Sequence, residues 1–164
     1  MQHDSTLNSE DCLSKSTALC FYSNIPNPQI DQISEKVYLG NEDGQRDKEY
    51  LKKLGVTHIL VVGSGLNIFH PIDFEYKQFA ITDFPWENIS QYFEEAYDFM
   101  EKSEKVFVHC AVGISRSPTI VISYFMKKNK MKFEEAYEFV KSKRPFIRPN
   151  QGFLKQLEKH NENI

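Results

Sequence analysis

His109-Cys110-Ala111-Val112-Gly113-Ile114-Ser115-Arg116-Ser117-Pro118 is the stretch whose reading decides the fold. It follows residues 105–109 (KVFVH), an apolar, β-branched run that predicts a strand buried on both faces. It runs into residues 118–128 (PTIVISYFMKK), apolar on nearly every face, which predicts a central buried helix. Pro118 falls in the first turn of that helix, where a missing N–H costs nothing. A short loop that feeds a helix N-terminus turns several backbone N–H groups into one concavity, and the helix dipole adds positive potential there. Gly113 allows the backbone to turn where a side chain obstructs it. The strand, loop and helix therefore predict an anion site.

Into that site the sequence sets a thiol. Cys110, ringed by N–H dipoles and close to a guanidinium, is expected to stand as a nucleophilic thiolate at neutral pH. The main chain of Ala111, Val112, Gly113, Ile114 and Ser115 is expected to hold phosphate oxygens. Arg116 offers a planar fork for two of them, which a lysine cannot do. An inert core thiol accounts for Cys110 alone. It leaves Gly113, Arg116, Ser117 and Pro118 at these offsets without a reason.

Outward from the loop, residues 36–40, 57–62 and 76–81 predict further strands. Residues 47–54, 89–100, 133–140 and 152–160 predict helices, the first stopped by Gly55. Strands alternating with helices give an α/β fold: a central, mostly parallel sheet flanked by helices. FEEAYDFM at 93–100 and FEEAYEFV at 133–140 echo each other without carrying their flanks along. They are read as two amphipathic helices rather than a repeat. Residues 1–29, polar and aperiodic, are read as a leader, flexible or packed on the surface, ahead of a catalytic domain over 30–164.

The 164 residues, 40% of them hydrophobic and 13% aromatic, suffice for one packed domain. A net charge of -3 argues against bulk nucleic-acid binding. Three cysteines and a polar start favour a reducing compartment, the cytoplasm or nucleus. No apolar run has the length of a membrane span, so no membrane insertion is expected.

HCAVGISRS resembles the H-C-x5-R-S signature of the protein tyrosine phosphatase superfamily. The surroundings are similar to its small dual-specificity branch: Val37-Tyr38-Leu39-Gly40 early, Ser123-Tyr124-Phe125-Met126 after the loop, and residues 144–153 (RPFIRPNQGF) near the end. The resemblance implies a phosphatase for phosphotyrosine and phosphoserine or phosphothreonine in proteins, acting through a phosphocysteine and needing no cofactor and no metal. It implies Asp83, directly after a strand, as the general acid, with Glu87 four residues on as the alternative. Ser117 is implied to hydrogen-bond the sulfur, with a helix cap as the plainer role, and His109 to order the loop. Asn150 matches a family position and is read as a supporting turn or cap.

The neutral Ala111, Val112 and Ile114 favour phosphoproteins over phosphoinositides. A phosphatase for lipid, RNA or glycan phosphates is the rival, and a phosphoprotein-binding module the lesser one. Eight basic residues over 127–148, Arg144 among them, are read either as a basic face toward acidic phosphoproteins or as a solvated helix surface. An open-pocket thiolate is expected to oxidise reversibly, and Cys12 or Cys20 is a candidate resolving thiol only if the leader folds over the site.

Overall fold

A computed structural model describes residues 29–164. The leader read over residues 1–29, with Cys12 and Cys20, lies outside the described residues except for Gln29. Five strands form one sheet in the order β1-β2-β5-β3-β4. They are β1 Ile30–Gln32, β2 Val37–Gly40, β3 His58–Val62, β4 Glu75–Phe79 and β5 Val106–His109. All pairs are parallel except β1 with β2. The helices are α1 Lys48–Leu54, α2 Phe93–Lys102, α3 Arg116–Asn129, α4 Phe133–Lys143 and α5 Gln151–Asn161.

The alternation of side chains along a strand divides the core into two layers. Val37, Leu39, Leu60, Val62, Val106 and Val108 face the larger layer, with Phe93, Ala96 and Met100 of α2, Ala136 and Val140 of α4, and Phe153 and Leu157 of α5. Tyr38, Ile59, Val61 and Phe107 face the smaller layer, with Leu51 of α1 and Phe74. α3 is buried continuously from Ser117 to Met126, as its all-round apolar character required. The two FEEA segments lie in α2 and α4, each burying its Phe and Ala.

Several elements differ from the sequence reading. β1 was not anticipated, because Ile30-Asp31-Gln32 is too short to show a period. β4 ends at Phe79, since the chain turns away and the Ile81 carbonyl accepts from Ser64 instead. The segment expected to be helical from residue 89 opens with a 3-10 turn, Ile89–Tyr92, before α2. α3 starts at Arg116, two residues before Pro118.

The parallel strands β2, β3 and β5 bring Gly40, Gly63 and Cys110 to one edge of the sheet, where the loops that follow them meet the start of α3.

Candidate active site

Cys110 stands one residue past β5 and is 1% exposed, so its thiol lies at the floor of the site rather than in the open pocket expected from sequence. Two donors reach the sulfur: the Gly113 N–H at 3.2 Å and the Ser117 hydroxyl at 3.1 Å. Both would solvate negative charge on Sγ.

What sets the loop's shape is the fate of its carbonyls. The Cys110 carbonyl accepts from His109 Nδ1 at 3.1 Å. That of Ala111 accepts from the Glu42 N–H, and that of Ile114 from the Arg148 N–H at 2.7 Å. Gly113 O accepts from Arg144 Nε at 2.9 Å, and Val112 O from the same guanidinium at 3.5 Å. Ser115 O accepts from Thr119, through both its N–H and its hydroxyl. In a planar trans peptide the N–H points opposite the carbonyl. Six carbonyls tied outward therefore turn the N–H groups of residues 111–116 inward, toward one anion.

Gly113 has φ 70°, and a Cβ there would lie 2.5 Å from both the Arg144 guanidinium and the Gly40 carbonyl oxygen. No other residue meets both demands. Ser115 does not cap α3 with its side chain. Its hydroxyl instead accepts from the Asn150 N–H at 2.9 Å, joining the loop to the start of α5.

Arg116 is half-buried and donates from one terminal nitrogen to the Ile81 carbonyl at 3.3 Å. Its Nε is buried and has no hydrogen-bond partner among the described residues. Ile81 belongs to the segment that carries Asp83, so the guanidinium and that loop are held together. Asp83 is exposed and accepts from Asn150 Nδ2 at 2.9 Å. Asn150 also caps α5, accepting from the Phe153 N–H. The cap read from sequence is thus present, and the residue orients Asp83 as well. Glu87 is occupied by the Thr82 hydroxyl, within its own loop. α5 approaches so closely that a Cβ on Gly152 would fall 1.8 Å from the Pro85 carbonyl oxygen. Phe84 and Trp86 stack on each other, 48% and 77% exposed, beside Asp83.

His109 is buried, and burial lowers its pKa to about 4, so the ring is neutral. It donates from Nδ1 to the Cys110 carbonyl and is suited to ordering the loop, not to taking a proton.

One expectation changes. Three of the eight basic residues are neutralised: Arg144 is wholly buried and ion-paired with Asp31, Lys127 pairs with Glu94, and Lys128 pairs with Glu101 at 2.6 Å. The outward tethers from Glu42, Arg144 and Arg148 were not read from sequence as parts of the site. The RPFIRPNQGF run held a signal for two of them, but its arginines were counted as surface charge.

A family model described as "Dual specificity phosphatase, catalytic domain" matches residues 37–163. The chain belongs to that family. Dual specificity protein phosphatase 1 of Arabidopsis thaliana is 45% identical over 130 residues, covering 77% of this chain and 66% of that protein. Dual specificity protein phosphatase 1B of the same plant is 36% identical over 139 residues, covering 82% and 83%. The chain thus spans just under two thirds of the first relative and most of the second. Among solved structures, human tyrosine phosphatase-like serine/threonine/tyrosine-interacting protein aligns with a TM-score of 0.80 at 31% identity, covering 83% of this chain and 97% of that one. No described helix is long and apolar enough to cross a membrane.

Proposed function

We propose that this chain hydrolyses phosphotyrosine and phosphoserine or phosphothreonine in proteins through a phosphocysteine on Cys110. The observation that carries the reading is the ring of N–H groups turned inward around the Cys110 sulfur by six outward-tied carbonyls. The Arg116 Nε beside it is a donor with no partner among the described residues. Family membership supports the same chemistry.

The Cys110 thiolate attacks phosphorus, and the bond from phosphorus to the ester oxygen breaks. The N–H groups of residues 111–116 and the Arg116 fork hold the equatorial oxygens as charge spreads over them. Asp83, carried protonated into this step, gives its proton to the leaving tyrosine, serine or threonine oxygen. In the second step ionised Asp83 takes a proton from water, and that water attacks the phosphocysteine. The S–P bond breaks, phosphate leaves, and the Ser117 hydroxyl stabilises the thiolate as it is released. A reducing compartment, cytoplasm or nucleus, suits a chemistry that depends on a free thiol.

The neutral side chains of Ala111, Val112 and Ile114 support phosphoproteins as substrates, because nothing in the loop meets a second phosphate. A panel of phosphotyrosine and phosphothreonine peptides against phosphoinositides tests this, with the peptides expected to turn over faster. Turnover of the lipids alone would contradict it. Binding of the peptides with no release of phosphate would return the chain to a binding module.

A further inference from the structure

Asp31 lies before the segment that the family model matches, on the three-residue edge strand β1. Its Oδ2 accepts from an Arg144 terminal nitrogen at 2.6 Å, across 113 positions of sequence. Arg144 is 0% exposed, and its guanidinium lies 4.2 Å from the centre of the Phe146 ring. Its other nitrogens reach the Gly113 and Val112 carbonyls. β1 also pairs with β2 so that Ile30 stands opposite Gly40, whose carbonyl packs against Gly113.

We propose that Asp31 is a positioning residue for phosphate binding: it fixes the Arg144 guanidinium, which in turn fixes two peptide planes of the phosphate-binding loop. The inference rests on the proposed function for its substrate, and on the bonds just described for its geometry. A guanidinium is rigid and planar, so orienting one edge by a carboxylate orients the others. The Gly113 carbonyl held by Nε aims the Ile114 N–H inward. The Val112 carbonyl, held by the far nitrogen, aims the Gly113 N–H at the Cys110 sulfur. Without the carboxylate, Arg144 keeps its burial but loses a charged partner that sets its angle, and both planes gain freedom to rotate. A strand at the start of the described chain thereby contributes to the anion site from outside the matched domain.

The test uses the full chain with Asp31→Asn, Asp31→Glu, and Asp43→Asn as a control that removes an exposed ion pair with Arg46. Calorimetric titration with inorganic tungstate, a phosphate-shaped oxyanion, reads the loop directly, and p-nitrophenyl phosphate kinetics reads KM and kcat. Asp31→Asn is expected to weaken tungstate binding and raise KM by about tenfold or more, the scale of a lost charge-assisted bond. Asp31→Glu is expected to recover part of that loss, and Asp43→Asn to match wild type.

A role in folding alone lowers the binding stoichiometry and apparent kcat while leaving the dissociation constant and KM unchanged. That pattern would overturn the proposal. Wild type that binds tungstate yet releases no p-nitrophenol would sink the phosphatase reading, while the tungstate arm still decides the role of Asp31. Wild type that binds no tungstate would overturn both.

Discussion

The Cys110 sulfur and the His109 ring, neighbours in sequence, meet different surroundings in one buried turn. The sulfur has donors at 3.2 and 3.1 Å and suits negative charge. For the imidazole, burial outweighs the Cys110 carbonyl and the Glu42 carboxylate, which both favour a proton, and lowers its pKa from 6.5 to about 4. In the unfolded chain His109 protonates near 6.5, whereas the folded protein resists until about 4. The unfolded state therefore binds more protons across that window, and stability falls as pH drops through it. The full contribution, on the order of 3 kcal/mol, is present above about pH 6.5 and gone below about pH 4. Denaturant melts at pH 7 and pH 5 should show a loss in wild type that is smaller in His109→Gln; equal losses would place the effect elsewhere. Arg116→Lys should lower both kcat and affinity, by about 10²-fold or more in kcat/KM, because a point charge cannot replace the fork. Near-normal kinetics in that variant would move the clamp to another residue.

Between residues and molecule stand the two loops of the site, linked through Arg116 on Ile81 and through Asn150. The phosphate-binding loop depends on Gly113, whose left-handed backbone and contact with Arg144 leave no room for a methyl group. Gly113→Ala should cost about 1–3 kcal/mol from strain alone and abolish tungstate binding even where the protein stays folded. A folded variant with unchanged tungstate affinity would refute that. The acid loop is anchored by Asn150 on Asp83, by Gly152 under Pro85 and by Gln156 on the Glu87 carbonyl. Asp83→Asn should slow phosphothreonine far more than p-nitrophenyl phosphate, approaching roughly 10²–10⁴-fold. An alkoxide needs nearly a full proton to leave, and p-nitrophenolate leaves almost unaided. Glu87→Gln should do little, because Glu87 is engaged with Thr82. A selective loss in Glu87→Gln instead would make Glu87 the acid.

Across the whole molecule, legibility followed sequence separation. The strand, loop and helix of residues 105–128 could be read because chemistry and period lie within one short run. Buried β3, β5 and α3 announced themselves by apolar content. The pair of Asp31 and Arg144, 113 positions apart, has no local signal, and β1 is too short to alternate. The tether from Glu42 is made by a main-chain N–H and leaves no trace in side-chain pattern. These long-range contacts hold the site in shape, yet the proposed reaction turns on a covalent bond at one sulfur. Rapid quenching during turnover, followed by proteolysis and mass spectrometry, measures that bond. Ser117→Ala is the variant of choice, since loss of its donor to Sγ should slow breakdown of the intermediate. A phosphoryl group is expected on Cys110, one per active site at early times, with an initial burst of p-nitrophenol. Phosphate on any other residue, or steady turnover with Cys110 unmodified and no burst, would contradict it.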